Sequence, residues 1–197
     1  DSETGRERYA LELGDQPKGP VVLFLGSMDW EANIDGVAWM CETMWPRIRQ
    51  EVPGAIFRIV GRGPRARTQR LVGDGIEVTG SVPSVDPYLV DAAAFVVPLR
   101  IGGGTRIKIF EAMSAGRAIV STTIGAEGLP VTAGKDILLA DDPDSFANAV
   151  IRVLKDASFR RSLGAAAYEL AMAHDWSRVV GVFEEAIERA IPARGVA

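Results

Sequence analysis

From Val21 onward, short runs of β-branched and aromatic residues alternate with longer stretches of helical spacing. No other feature of the chain narrows its possible folds as much. Val21-Val22-Leu23-Phe24-Leu25 is apolar at every position, which suits a strand covered on both faces. The run ends at Gly26-Ser27. Residues 34–50 then carry an apolar stripe through Ile34, Val37, Met40, Cys41, Met44, Trp45 and Ile48, and Glu51-Val52-Pro53-Gly54 stops it. The pattern goes on to predict a strand over 55–60, a helix over 64–72, a strand over 76–79, a short helix over 87–92 and a strand over 94–97. Next come a helix over 106–115, a strand over 118–121 and a short strand over 137–139. Asp142-Pro143, an N-cap acid followed by proline at the first helical position, opens a helix to about residue 154. Helices over 158–173 and 176–191 close the chain.

Strands alternating with helices imply right-handed crossovers, so the expected fold is α/β: a doubly wound, Rossmann-like, mostly parallel sheet with helices on both faces. The first 19 residues are polar and aperiodic and read as a linker or tail, leaving 20–197 as one domain with helices 158–192 packed on it. Sheets of this kind bind ligands at the carboxyl ends of their strands, near the point where strand order reverses. The loops to search are therefore 26–33, 61–64, 80–84 and 98–105.

Composition excludes several classes of partner. At 47% hydrophobic and 24% charged the chain is an ordinary globular protein, and its net charge of −4 offers no field to attract nucleic acid. Any anion site must be local. No apolar run approaches the ~20 residues of a membrane span, and Asp1-Ser2-Glu3 is acidic where a signal peptide is basic. The one cysteine, Cys41, cannot form an internal disulfide and reads as a small buried hydrophobe in a reducing compartment. The expected setting is cytoplasmic.

The local anion site is expected where Pro98-Leu99-Arg100-Ile101-Gly102-Gly103-Gly104-Thr105-Arg106-Ile107-Lys108-Ile109-Phe110-Glu111 runs from a buried strand into a helix. Glycines there let a ligand approach the main chain, and the first helical turn presents free amides at the positive end of the dipole. Arg106 and Lys108 fall in that turn, where a cation is disfavoured by about 0.3–1 kcal/mol. Two cations at the wrong end of a helix make sense if a doubly charged anion docks between them. Lys108 and Glu111 share a helical face, and an acid so near an anion site calls for hydrogen-bond donors such as a ribose diol, or for Lys108 itself. The lone histidine, His174, reads as a helix-junction residue and Trp176 as packing for the last helix.

From about Val21 to Ala190 the order of these pieces resembles the donor-binding, C-terminal domain of retaining glycosyltransferases with the GT-B fold, the glycogen-synthase-like and mannosyltransferase-like group. The resemblance rests on Phe24-Leu25-Gly26-Ser27-Met28-Asp29-Trp30 with Asn33, Ile59-Val60-Gly61-Arg62-Gly63-Pro64, and Val78-Thr79-Gly80-Ser81-Val82 with Asp86 and Tyr88-Leu89. Most telling are Gly102 to Met113 and Gly116-Arg117-Ala118-Ile119-Val120-Ser121-Thr122.

The resemblance implies that Glu111 binds the ribose hydroxyls and that the amides of Gly103, Gly104, Thr105 and Ile107 hold the diphosphate. Main chain near Val82 would read the base edge beside Arg62, with Gly26 and Ser27 against the diphosphate or sugar. Arg106 and Lys108 would be the catalytic cations, in place of the arginine and lysine that the family usually carries after its first strand. Gly103 stands where the family has a second glutamate. The donor would be a UDP-, GDP- or ADP-sugar, transferred without metal or other cofactor to an acceptor held by an N-terminal domain, as in polysaccharide biosynthesis. A related epimerase or phosphorylase, or a non-enzymatic interaction domain on a doubly wound sheet, are the alternatives.

Overall fold

The computed structural model describes Pro17, residues 19–64 and 66–174, and Val180, Gly181, Glu184, Ile187 and Arg189. The linker expected over 1–19 and the helix expected over 176–191, with Trp176, fall almost entirely outside these residues. Strands β1 (Val21–Leu25), β2 (Ile56–Val60), β3 (Ile76–Gly80), β4 (Ala94–Val97), β5 (Ile119–Ser121) and β6 (Leu138–Leu139) form one six-stranded sheet. Their order is β3-β2-β1-β4-β5-β6, and every neighbouring pair is parallel. The chain steps outward from β1 to β3, then returns to place β4 on the other side of β1. Strand order therefore reverses between β1 and β4. Their carboxyl ends open the crevice in which such sheets bind ligands.

The described helices are α1 (Glu31–Thr43), α2 (Trp45–Glu51), α3 (Ala66–Gln69), α4 (Asp86–Asp91), α5 (Ile107–Ser114), α6 (Pro143–Lys155) and α7 (Ala157–Ala173). They cover both faces of the sheet, because successive strand residues point to opposite sides. Val22, Phe24, Phe57, Ile59, Val96 and Val120 pack with Val37 and Met40 of α1, Trp45 and Ile48 of α2, and Phe146, Val150 and Val153 of α6. Leu23, Leu25, Phe95, Val97 and Ile119 pack with Leu89 of α4, Ile109, Ala112 and Met113 of α5, and Ala167 and Ala171 of α7. Each large side chain so buried contributes roughly 1.5–3 kcal/mol.

Several boundaries differ from the sequence expectation for local reasons. The helix expected over 34–50 starts at Glu31 and is broken at Met44. Pro46 lies in the first turn of α2, where a missing N–H is tolerated, but it could not continue an unbroken helix. The helix expected over 64–72 shrinks to α3, in which only Thr68 is buried, so no apolar face holds it longer. The helix expected from Arg106 begins at Ile107. Asp142 caps α6 as expected, its side chain accepting from the amides of Asp144 and Ser145.

Helix α7 crosses the turn after α5 at Gly164, where an added Cβ would stand 2.3 Å from the carbonyl oxygen of Gly116. Alanine's helix-propensity advantage of about 1 kcal/mol opposes an overpacking cost of about 1–3 kcal/mol, and the obstacle is main chain that cannot swing aside. Gly164→Ala should therefore lower stability in urea unfolding by about 1–2 kcal/mol. A gain would mean that the two segments lie farther apart.

Candidate functional site

The crevice is lined on the β4 side by the glycine loop. Gly102 (φ 126°) and Gly104 (φ 106°) adopt conformations that side-chain-bearing residues rarely reach, which accounts for glycine at both. Gly103, Gly104 and Thr105 are exposed, and a Cβ on Gly103 would meet nothing within 4 Å. The position where the resemblance expects a glutamate thus has room for one. No side chain caps α5, so the first N–H groups of its opening turn have no acceptor within the helix.

Arg106 departs from its expected place. It precedes the first turn of α5 in a left-handed conformation (φ 53°, ψ 27°), and its side chain is 4% exposed. The guanidinium donates to the carbonyls of Gly103 (2.9 Å), Gly102 (3.3 Å) and Ile124 (2.7 Å), and Glu127 lies 3.8 Å away. The expected arrangement, with two cations exposed on either side of a docking anion, is not what forms. Three main-chain carbonyls at the back of the loop accept from the two terminal nitrogens of Arg106 and draw it inward.

Lys108 does reach the crevice. Its Nζ donates to Asn33 Oδ1 (2.9 Å) and lies 4.6 Å from the centre of the Phe24 ring. Asn33, 2% exposed, is itself held by donating from Nδ2 to the carbonyl of Ser27 (2.8 Å). Both side chains converge on Gly26, where a Cβ would stand 2.7 Å from Asn33 Nδ2 and 2.9 Å from Lys108 Nζ. Burial pushes the Lys108 ammonium down from 10.5 to about 8; the charge of Arg106 lowers it further and Glu111 partly offsets both. Asn33 was visible in the sequence as part of a motif. Its role as the partner of Lys108 was not, because the two are 75 residues apart.

The remaining candidates are spread along the carboxyl edge. Ser27 Oγ donates to Asp29 Oδ1 (2.6 Å) and accepts from Arg62 Nε (3.1 Å), joining the ends of β1 and β2. Val82, half-buried after β3, sits two strands out from β1, on the order of 10 Å along the sheet. Ile107 and Glu111 lie on the exposed side of α5, so the helix is less enclosed than its apolar sequence suggests. Trp30, exposed beside Gly102, is a rim residue, to which the sequence motif containing it assigns no role. His174 caps the end of α7 with Nδ1 2.9 Å from the Leu170 carbonyl; the helix it was expected to join to α7 falls outside the described residues. Cys41 is buried, and burial raises its thiol to about 12.

The family described as glycosyl transferases group 1 matches residues 19–156, most of the chain. The chain belongs to that family. Over 175 residues it is 25% identical to an uncharacterized 44.6 kDa protein in the cps region of Klebsiella pneumoniae, covering 83% of this chain and 45% of the relative. It thus spans less than half the length of that relative. Among solved structures, sucrose-phosphate synthase from Thermosynechococcus elongatus superposes with a TM-score of 0.69 at 21% identity, over 96% of this chain and 49% of the synthase. The C-terminal domain of the group 1 family protein LpcC from Francisella tularensis matches with a TM-score of 0.66 at 14% identity, over 88% of this chain and 92% of that domain. Anabaena HepE, in complex with UDP and glucose, matches with a TM-score of 0.65 at 14% identity, over 93% of this chain and 52% of HepE. At these identities the structural likeness is one of fold, and the fold is that of the GT-B glycosyltransferases.

In this chain the lowered Lys108 carries a linkage of definite sign. The unfolded chain keeps the lysine protonated up to 10.5, whereas the fold releases the proton near 8. The penalty is fully present below pH 8 and disappears as pH rises toward 10.5. Lys108→Met removes it, so the variant's stability relative to wild type should fall by about 3 kcal/mol between pH 7 and pH 10.5. Parallel pH profiles in denaturant titrations would show that the ammonium is not buried as described.

Proposed function

We propose that this chain is the donor-binding half of a retaining, metal-independent glycosyltransferase, which holds a UDP-, GDP- or ADP-sugar against the segment from Gly102 to Glu111 while an N-terminal domain holds the acceptor. One observation carries the reading. A half-buried lysine, whose Nζ meets the amide oxygen of Asn33 and the ring of Phe24, stands at the strand-order reversal beside the uncapped start of α5. A cation kept there at a cost to stability fits a dianionic ligand. Membership of the group 1 family supports the same reading, as do the UDP of the HepE complex and the UDP and GlcNAc of the pneumococcal O-GlcNAc transferase GtfA, a further fold relative. The cps-region relative favours a product in polysaccharide biosynthesis.

On this reading the amides of Gly103, Gly104, Thr105 and Ile107 and the Lys108 ammonium hold the diphosphate. Glu111 accepts from the ribose hydroxyls, main chain near Val82 reads the base edge with Arg62 alongside, and Gly26 and Ser27 border the sugar. As the glycosidic carbon gains oxocarbenium character, negative charge grows on the leaving diphosphate. Amides and a lysine already aimed at that charge lower the barrier without reorganising. We place the reaction in the cytoplasm, where Cys41 would stay reduced. Among the described residues no helix is long and apolar enough to cross a membrane.

Calorimetry of the chain against UDP, GDP and ADP tests the donor assignment. At pH 8 Lys108 is about half protonated, and a docked diphosphate should complete its charge. Binding of the cognate nucleotide should therefore take up roughly half a proton, read from two buffers of different ionisation enthalpy. That uptake should vanish in Lys108→Met. No heat with any of the three nucleotides would favour an interaction domain instead. In the full-length parent enzyme, Lys108→Ala should lower kcat by about 100-fold; unchanged transfer at saturating donor would remove Lys108 from the mechanism.

A further inference from the structure

The glycine loop has little of its own to hold it. Gly103, Gly104 and Thr105 are exposed, and a Cβ at Gly103 or Gly104 would touch nothing within 4 Å. Three adjacent glycines also lose more conformational freedom on ordering than other residues would. Against this, Arg106 takes up a left-handed conformation, which costs a non-glycine residue about 1–2 kcal/mol. It buries its guanidinium, with Nε enclosed and bonded to nothing among the described residues. A surface arginine free to meet a ligand would need neither. Both follow if the side chain has to reach back to the carbonyls of Gly102, Gly103 and Ile124.

The third carbonyl belongs to a second loop that is well anchored. Thr122 Oγ1 donates to the carbonyl of Leu99 and accepts from the amide of Gly125, and the Thr122 amide donates to the carbonyl of Val97. Thr123 donates from its amide and its hydroxyl to the carboxylate of Asp141, beyond the end of β6. The segment around Ile124 is thus tied to the ends of β4 and β6. Through Arg106 the glycine loop is tied to it.

Peptide geometry then sets the direction of the loop's donors. In a trans peptide the carbonyl of one residue and the N–H of the next point in opposite directions, and the described chain contains no cis bond. Pulling the carbonyls of Gly102 and Gly103 inward turns the N–H groups of Gly103 and Gly104 outward. We propose that Arg106 is a positioning residue: its guanidinium ties the two loops together and thereby aims the amides of Gly103 and Gly104 at the diphosphate of the donor. This inference rests on the donor reading above and gives Arg106 a role different from that of Lys108, which meets the ligand itself. Two nitrogens of one planar fork serve the three carbonyls, an arrangement that the single nitrogen of a lysine does not reproduce even though the charge is kept.

The test compares Arg106→Lys, Arg106→Ala and Glu127→Gln with wild type by three measurements. These are affinity for whichever of UDP, GDP and ADP the wild-type chain binds, the urea midpoint, and amide exchange of Gly125, Ala126 and Glu127 without nucleotide. Arg106→Lys should lose about tenfold or more in affinity, nearly as much as Arg106→Ala, and should speed exchange at those amides about as much. Its global unfolding midpoint should stay near that of wild type. Glu127→Gln, which removes only the outer carboxylate and leaves the three carbonyl bonds, should change none of the three. If Arg106→Ala does not fold, Arg106→Lys against wild type decides. Arg106→Lys that keeps wild-type affinity and exchange would overturn the clamp, since charge alone would then suffice, and so would a loss of affinity in Glu127→Gln. A wild-type chain that bound none of the nucleotides would defeat the donor reading and the diphosphate role together. Normal binding with unchanged exchange in Arg106→Lys would defeat the clamp alone.

Discussion

β1 has no side open to water: β2 and β4 flank it, α-helices cover it above and below, and its residues are at most 5% exposed. A strand apolar at every position can be satisfied in no other way, and most of the fold follows from satisfying it. Two helical layers are needed, so the crossovers from β1 through β5 carry helices, and parallel pairing results. With β1 central and strand order reversing beside it, the crevice opens beyond Leu25, where Gly26 begins the loop that receives Lys108.

Two cations close together in sequence are given opposite duties by this frame. Arg106 turns back onto main-chain carbonyls, whereas Lys108, two residues on, reaches across the end of β1 toward Asn33. The division follows from their chemistry. A guanidinium can spend several donors on carbonyls in one plane and tolerate enclosure. An ammonium is compact and more strongly hydrated, so burial shifts its proton equilibrium. Arginine thus shapes the loop, and lysine stays available as a titratable charge at its mouth.

Much of the architecture could be read from spacing alone. The strand at 94–97 matches its expected bounds, Asp142 and Pro143 open α6 as anticipated, and the alternation of elements implied a doubly wound parallel sheet. Where the reading failed, the pattern was locally ambiguous. The stripe through Met44 and Trp45 continues in helical register although Pro46 interrupts the backbone. The arginine-rich segment before Leu71 has polar helix formers but no apolar face to bury. Gly102 to Glu111 stood out because glycines, an abutting buried strand and misplaced charges coincided there. The orientation of each charge did not.

The order of residues by itself determined the fold class and the stretch of chain that forms the glycine loop, because periodicity and glycine placement act over a few neighbouring positions. Only the folded structure decided what each charged side chain does. Arg106 finds the Ile124 carbonyl 18 residues away and Lys108 finds Asn33 at 75. No local pattern encodes contacts at such separations, because they exist only after the helices have packed and brought distant main chain within reach of a side chain.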